Sequence, residues 1–418
     1  MKTIVRQDDV RRQNQSVVLV ALRREGPLSR TELCSRTGLS PSTVTVITNS
    51  LLERGVLAEE PGVEGAAARR GRPQVRLFPN PDYASVVTVM LSVNRFEIDI
   101  SDYAGRSVIS ETVRMPTRAM SARKFTESLV DAVGRAASEV ADVIAPIARI
   151  ALGVEGIVDG AGRTLVSSPV IDCGNVPVAQ ALSDAFGVPV VAANECNMMA
   201  EAMSWRAPER FDENFATVLL SVGVGMGLFL NGRVFSGINS SAVEFGHICY
   251  EPDGALCRCG RHGCIEAYAG AHSIFRAANG FDTGRMLAEE PAREALTAMA
   301  VRARAGDGLE RQAFVAAGKA VGTGLSNLFT MFDPIPVMFA GPGVAFMDLM
   351  RPSIEEALAR PCFGQPVQIS IFDEEIDYRA LVKEGSLMSA LSVIDATLPG
   401  PGENGARLAE RGSVETSA

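Results

Sequence analysis

Residues 257–264 read CRCGRHGC, placing three of the chain's eight cysteines within eight positions. His247 stands upstream in the pattern His247-x9-Cys257-x-Cys259-x4-Cys264. One imidazole and three thiolates make a complete tetrahedral set for a structural zinc ion, with no open position for a catalytic water. Thiolate softness favours zinc over magnesium or calcium. The chain's three histidines, His247, His262 and His272, all fall in this neighbourhood, so His262 competes for the nitrogen position. A redox pair or unliganded thiols would use the same cysteines and stay open as alternatives.

The other five cysteines (Cys34, Cys173, Cys196, Cys249, Cys362) are scattered, which is not the spacing of a disulfide scaffold. A reducing, cytoplasmic setting is expected. The first residues, MKTIVRQDDVRRQNQ, carry no apolar h-region. The longest apolar runs, VVTVML and TVLLSV, are strand-sized and too short to span a bilayer, so no membrane association is expected. A length of 418 residues at 47% hydrophobic content leaves room for two or three domains with real cores.

Charge divides the chain. Residues 1–80 hold thirteen Lys/Arg against eight Asp/Glu, net +5, so a total of −9 leaves −14 on the remaining 338 residues. A basic head on an acidic body points to a nucleic-acid module joined to something with another task. Within the head, SVVLVALRREG reads as a helix stopped by Gly26-Pro27. Ser29-Arg-Thr-Glu32 is a capping box opening a second helix that ends at Gly38. Ser40 caps a third, with Pro41 at its first position. Val44, Ile47 and Leu51 share one face of that helix, which leaves Ser42, Thr43, Thr45, Thr48 and Asn49 on the others.

This is the spacing of a helix-turn-helix, whose last helix can offer Ser40, Ser42, Thr43, Thr45 and Asn49 to the major groove. A hairpin-like stretch follows, EEPGVEGAAARRGRPQVRLFP, and its Arg69-Arg70-Gly71-Arg72-Pro73 resembles the core of minor-groove AT-hooks. There Arg70 and Arg72 would seek the negative potential of a narrow A/T groove. Helix and wing together predict a winged helix-turn-helix over residues 1–80. A three-helix protein-interaction module and a merely basic linker are the plainer readings.

From Tyr83 the pattern turns to strands. ASVVTVMLSV, FEIDISD and RSVISETVRM form a meander, then Ser121 caps a helix with Phe125, Leu129, Val133, Ala136, Val140 and Val143 on one stripe, and IARIALGVEG is a further strand. A second meander begins at Ala216, and after an insertion a helix to about Phe332 and the strand PVMFAG follow. Two α/β halves of similar plan with a cleft between them predict a duplicated actin-like, ribonuclease H-like fold over residues 81–395. Residues 396–418, rich in Pro, Gly and charge, read as a disordered tail.

Glu244-Phe-Gly-His247 followed by Cys-Arg-Cys-Gly-Arg-His-Gly-Cys-Ile-Glu266 closely resembles the ROK family, named for repressors, open reading frames and sugar kinases. The likeness runs from about residue 10 to 395 and includes the N-terminal winged helix of the family's repressor branch. It implies a two-lobe sugar-kinase fold with zinc on His247, Cys257, Cys259 and Cys264. Glu244 and Glu266 would then accept hydrogen bonds from sugar hydroxyls. His247 would bind zinc through one ring nitrogen and turn the other to the sugar. Asn194 and Glu195 match the family's Asn-Asp-x-Asn motif, and Gly156 matches a glycine whose backbone lines the sugar site. Asn194 could equally cap a helix, and Gly156 could serve only a turn.

Departures from the kinase pattern separate enzyme from sensor. The family's kinases open with an Asp-x-Gly-Gly-Thr hairpin that grips phosphate and positions magnesium, where this chain has Met90-Leu-Ser-Val-Asn94. Ser221-Val-Gly223-Val-Gly225-Met-Gly227 keeps the glycines of the second phosphate loop without its threonine. Glu195 stands where the general base is aspartate, and a displacement near 1 Å can cost on the order of 100-fold in rate. The expectation is a non-catalytic, sugar-responsive repressor. It would bind an inverted-repeat operator with A/T-rich flanks as a homodimer or homotetramer. The rivals are a sugar kinase with a DNA-binding head and a regulator controlled by a protein partner.

Overall fold

The computed structural model describes residues 7–60, 75–237, 239, 243–287, 290–359, 371–373 and 376–399. Two compact units emerge, one of Met1–Ala193 with Ser386–Ala418 and one of Asn194–Gly385.

The head forms as its caps predict. The first helix, Gln7–Glu25, starts earlier than the apolar run alone required. Ser29 accepts the Glu32 N–H while the Glu32 carboxylate takes the Ser29 N–H, closing the capping box of Arg30–Thr37. Gly38, at φ 70°, ends that helix in the left-handed region. Ser40 caps Pro41–Glu53 by accepting from the Thr43 N–H. Strands Leu28–Ser29, Arg76–Pro79 and Leu57–Glu59 lie in that spatial order and complete a winged helix. Arg70 and Arg72 lie outside the described residues.

In the remainder of the first unit, Ser85–Ser92 runs antiparallel to Arg95–Asp102, which runs antiparallel to Ser107–Arg114; Ile147–Val154 lies parallel to Ser85–Ser92 on its other side. Val190–Asn194 is the outermost strand. The second unit repeats this plan. Phe215–Leu220 is central, Val224–Leu230 and Arg233–Val234 form the antiparallel side, and Val337–Ala340 and Ile371–Phe372 form the parallel side. Equal order in two sheets is the duplication that the strand pattern predicts.

One face of the first sheet packs on the helix Ala122–Glu139 through Phe125, Leu129, Val133 and Ala136. Val143, assigned to the same stripe, lies past the helix end and is 71% exposed.

The other face carries the less expected feature. Val86, Tyr103 and Ala151 share a single apolar core with Leu19, Leu22 and Leu51 of the head and with Leu387, Leu391 and Ile394 of the last helix, Tyr378–Thr397. A boundary at residue 80 therefore runs through continuous packing. The last helix also runs two residues into the segment assigned as a tail from 396, with Leu398 buried and the Pro399 carbonyl accepting from Arg54 at 2.6 Å.

Candidate functional site

The knuckle of the second unit has little regular backbone. Isolated bridges join Cys249 to Cys264 and Leu256 to His262, and Phe245–His247 makes one turn of 3-10 helix. What converges there is side chains. The donor atoms of His247, Cys257, Cys259 and Cys264 all lie within 4.8 Å of one another. Cys259 Sγ is 3.7 Å from Cys264 Sγ, and Cys257 Sγ is 3.6 Å from His247 Nδ1. A tetrahedral ion bound at about 2.3 Å to sulfur and about 2.0 Å to nitrogen has edges of about 3.8 and about 3.5 Å, so the donor set fits.

His262 is elsewhere, its Nδ1 donating to the Gly254 carbonyl at 2.9 Å on the exposed side. Burial pushes the Cys257 and Cys264 thiols above the ordinary thiol range. At Cys259 burial is the largest influence and works upward, but hydrogen bonds from the Arg261 side chain and backbone and from the Cys257 and Cys264 thiols together outweigh it and hold the thiol below that range.

His247 faces two ways. With Nδ1 turned to the thiols, Nε2 lies 3.8 Å from Glu244 Oε2. Glu244 keeps 43% of its side chain exposed, yet the surrounding protein raises its carboxyl above the usual range, with His247 pulling it back. Glu266 has turned inward. It is 8% exposed, and its Oε2 accepts the Val224 N–H at 3.1 Å, so it braces the knuckle against the Ser221–Gly227 hairpin.

That hairpin's glycines have packing reasons of their own. A Cβ on Gly223 would meet the Glu266 carboxylate, one on Gly225 the Cys196 thiol, and one on Gly227 the Cys196 carbonyl. His272 donates to the Val222 carbonyl at 3.0 Å from the other side.

Asn194 caps Glu195–Arg206 by accepting the Cys196 N–H at 2.8 Å, and Glu195 occupies the first turn. Gly156 belongs to the first unit, at φ 137° with its α-carbon against Ser167 and Ser168, where no side chain fits. In the same unit the Val93-Asn94 turn is locked by reciprocal bonds. The Thr117 hydroxyl accepts the Asn94 N–H at 3.0 Å, and Asn94 Oδ1 accepts the Thr117 N–H at 3.1 Å.

On the head, the exposed stripe of Pro41–Glu53 is Ser42, Thr45, Val46 and Asn49. Ser40 Oγ is committed to its cap and to the Ser42 and Thr43 hydroxyls. Thr48, counted by pattern among the outward residues, is buried with its hydroxyl on Arg30 Nε. Arg30 also donates to Asn49 Oδ1 at 3.0 Å, which turns the Asn49 amide nitrogen outward. Sequence reasoning passed over Val46, 58% exposed, because an apolar residue reads as core; its offset of four from Ser42 was the available signal.

Residues 89–392 match the ROK family, and residues 9–66 match the MarR family. The N-acetylglucosamine repressor of Escherichia coli O157:H7 is 24% identical over 392 residues, 92% of this chain and 95% of that protein. The xylose repressor of Caldicellulosiruptor bescii is 24% identical over 376 residues, 88% and 93% of the two chains. A crystal structure of a ROK family transcriptional regulator, a homolog of the E. coli MLC protein, shares the fold at TM-score 0.73 and 22% identity. The match covers 93% of this chain and 99% of that one.

Proposed function

The chain belongs to the ROK family, and from that premise we propose that it is a sugar-responsive, DNA-binding transcriptional regulator. It acts as a repressor whose operator affinity changes when a sugar or sugar derivative binds beside the metal knuckle. The observation that carries this reading is the two-faced imidazole of His247, with one nitrogen among three thiols and the other beside Glu244, in a chain whose head is a winged helix.

The knuckle holds zinc on His247, Cys257, Cys259 and Cys264, and the ion supplies folding energy and a fixed ring orientation. Held at Nδ1, the imidazole presents an Nε2–H that donates to a sugar oxygen, while the exposed Glu244 carboxylate accepts from a hydroxyl. Glu266 adds a second carboxylate through its Oε1. Asn194 and Glu195, of the same unit as Glu244 and His247, complete the sugar contacts.

Turnover has no support in the reaction centre. Met90 is 4% exposed where metal-binding aspartate is needed, and Asn94 and Thr117 close the turn that glycine would leave open to phosphate. The glycines of Ser221–Gly227 are accounted for by Glu266 and Cys196 without ATP. A kinase would release ADP from Mg-ATP in a sugar-dependent way; the purified chain is expected not to.

A homodimer or homotetramer sets two winged helices on the half-sites of an inverted repeat, with Arg70 and Arg72 in flanking A/T minor grooves. Moving the population from 99:1 to 1:99 takes about 5.5 kcal/mol of differential sugar binding, a demand that several subunits share. A cytoplasmic location fits a DNA-binding role.

Calorimetric titration of a monosaccharide panel, with N-acetylglucosamine and xylose included, tests the pocket. One sugar is expected to bind, and Glu244→Gln to weaken it by about 1.5–3 kcal/mol while leaving sugar-free DNA affinity unchanged. If no sugar binds the zinc-loaded chain, control by a protein partner takes the lead.

On the DNA side, Val46 projects a methyl-bearing surface from the middle of the stripe, the contact that thymine's C5-methyl accepts. Replacing thymine by uracil at one half-site position should weaken binding by about 0.8 kcal/mol. Val46→Ala should be indifferent to that change. A scan that finds no uracil-sensitive position would remove Val46 from the readout.

A further inference from the structure

Arg276, on the helix Ala271–Ala278, is 1% exposed, and no carboxylate lies within ion-pair distance of it among the described residues. A buried guanidinium without a counter-charge is strongly disfavoured. Its N–H groups bond only to carbonyls. Nη1 donates to Leu256 at 3.1 Å and Arg285 at 2.9 Å; Nη2 donates to Leu256 and Ala267, both at 3.2 Å. Its Nε has no partner among the described residues.

The carbonyls are informative. Leu256 immediately precedes Cys257, and Ala267 immediately follows Glu266. Three of the four bonds from one cation thus hold the two backbone points from which a metal ligand and a pocket carboxylate project, and the fourth holds Arg285.

The donor set would supply a counter-charge on holding zinc. Three thiolates, one neutral imidazole and one divalent ion leave a net charge of −1 on the centre. The Glu266 carboxylate adds a second negative charge, with Oε1 3.7 Å from Cys257 Sγ. We infer that Arg276 is the buried counter-ion of the Cys3His metal centre and the positioning residue that ties it to Glu266. Burial works against the charge on Arg276, and among the anionic groups whose field favours it the Cys257 thiolate comes first, ahead of Tyr268 and Asp282. Arg261 also lies near Cys259, but it is exposed, and solvent screens its charge. The inference rests on the metal reading above.

The test uses the full chain and the metal alone. Zinc affinity is read by competition with a chromogenic chelator. Cobalt substitution reports coordination through its thiolate charge-transfer band. Arg276→Met should lower zinc affinity by about 10–100-fold, the usual cost of losing a partner behind the ligands, and Arg276→Lys should recover most of it. In a Cys259→His background the Cys2His2 centre is neutral, so adding Arg276→Met there should change affinity by no more than about twofold, the scatter of uncoupled sites. Arg261→Met should stay within the same range. An equal loss in both backgrounds, with no rescue by lysine, would reduce Arg276 to a backbone prop and overturn the charge assignment. If Arg276→Met does not fold, the lysine variant and the Cys259→His pair still decide. A native chain that gives no cobalt–thiolate band overturns the metal reading first, and this inference with it.

Discussion

Replacing Asp395 with alanine should cost the first unit about 3–5 kcal/mol, the penalty for stranding a buried charge. Arg23 of the first helix meets Asp395 of the last through two parallel bonds, Nε to Oδ2 at 2.7 Å and Nη2 to Oδ1 at 2.9 Å. The two side chains are 3% and 6% exposed. Nη1 donates to the Tyr103 carbonyl at 2.8 Å, the Tyr103 hydroxyl donates to Asp395, and the guanidinium lies 4.5 Å from the centre of the Tyr103 ring. Head helix, the turn after the strand Arg95–Asp102 and final helix therefore meet in one network inside the core formed by Leu19, Leu22, Leu391 and Ile394.

Removing one partner leaves Arg23 charged in an apolar core, so urea unfolding should show the full loss and operator affinity should fall with it. Removing both, as Arg23→Met with Asp395→Leu, should recover most of the stability, because the pair's Coulomb gain only about repays its desolvation. A single-variant loss below about 1 kcal/mol, the worth of an exposed pair, would show that the network does not hold the head.

Stripping the metal should have the larger local effect. The knuckle's own core is Ala255, Cys257, Cys264 and Ala267, two of the four being proposed ligands, and its strand pairing amounts to isolated bridges. Such a segment cannot offset the conformational entropy of ordering without its ion, whose binding is worth about 10–16 kcal/mol in zinc-finger peptides. Chelation, or Cys257→Ser, should raise hydrogen exchange across residues 247–268 and abolish sugar binding. DNA binding should persist, because the head belongs to the other unit. Exchange that stays slow after complete metal removal would show that packing alone holds the knuckle.

What the sequence disclosed was whatever local chemistry encodes. Ser29 with Glu32, and Ser40 with Pro41, mark helix starts because their side chains satisfy backbone groups a few residues away. The Cys/His cluster was legible because its spacing is short, and the structure sets His247 rather than His262 beside the thiols. Long-range facts were not legible. All eight residues of Ser85–Ser92 are buried, so its pattern carries no alternation to reveal that both faces are covered, one of them by the head. Arg276 carries no signal of its own in the sequence, and only the fold brings its carbonyl partners together on it. Glu266 reads as a pocket carboxylate, and only the fold shows its Oε2 bound to the Val224 N–H.

Sugar binding is expected to change operator affinity. Fluorescence anisotropy of the full chain on its own upstream DNA, with and without each monosaccharide, measures this directly. Salt must be held constant because phosphate contacts make affinity steeply dependent on ionic strength. The expected result is tight binding that one sugar shifts by tenfold or more, about 1.4 kcal/mol. In Glu244→Gln the shift at the same sugar concentration should be lost. Tight DNA binding that no sugar moves, from a chain shown to hold its metal, would contradict it.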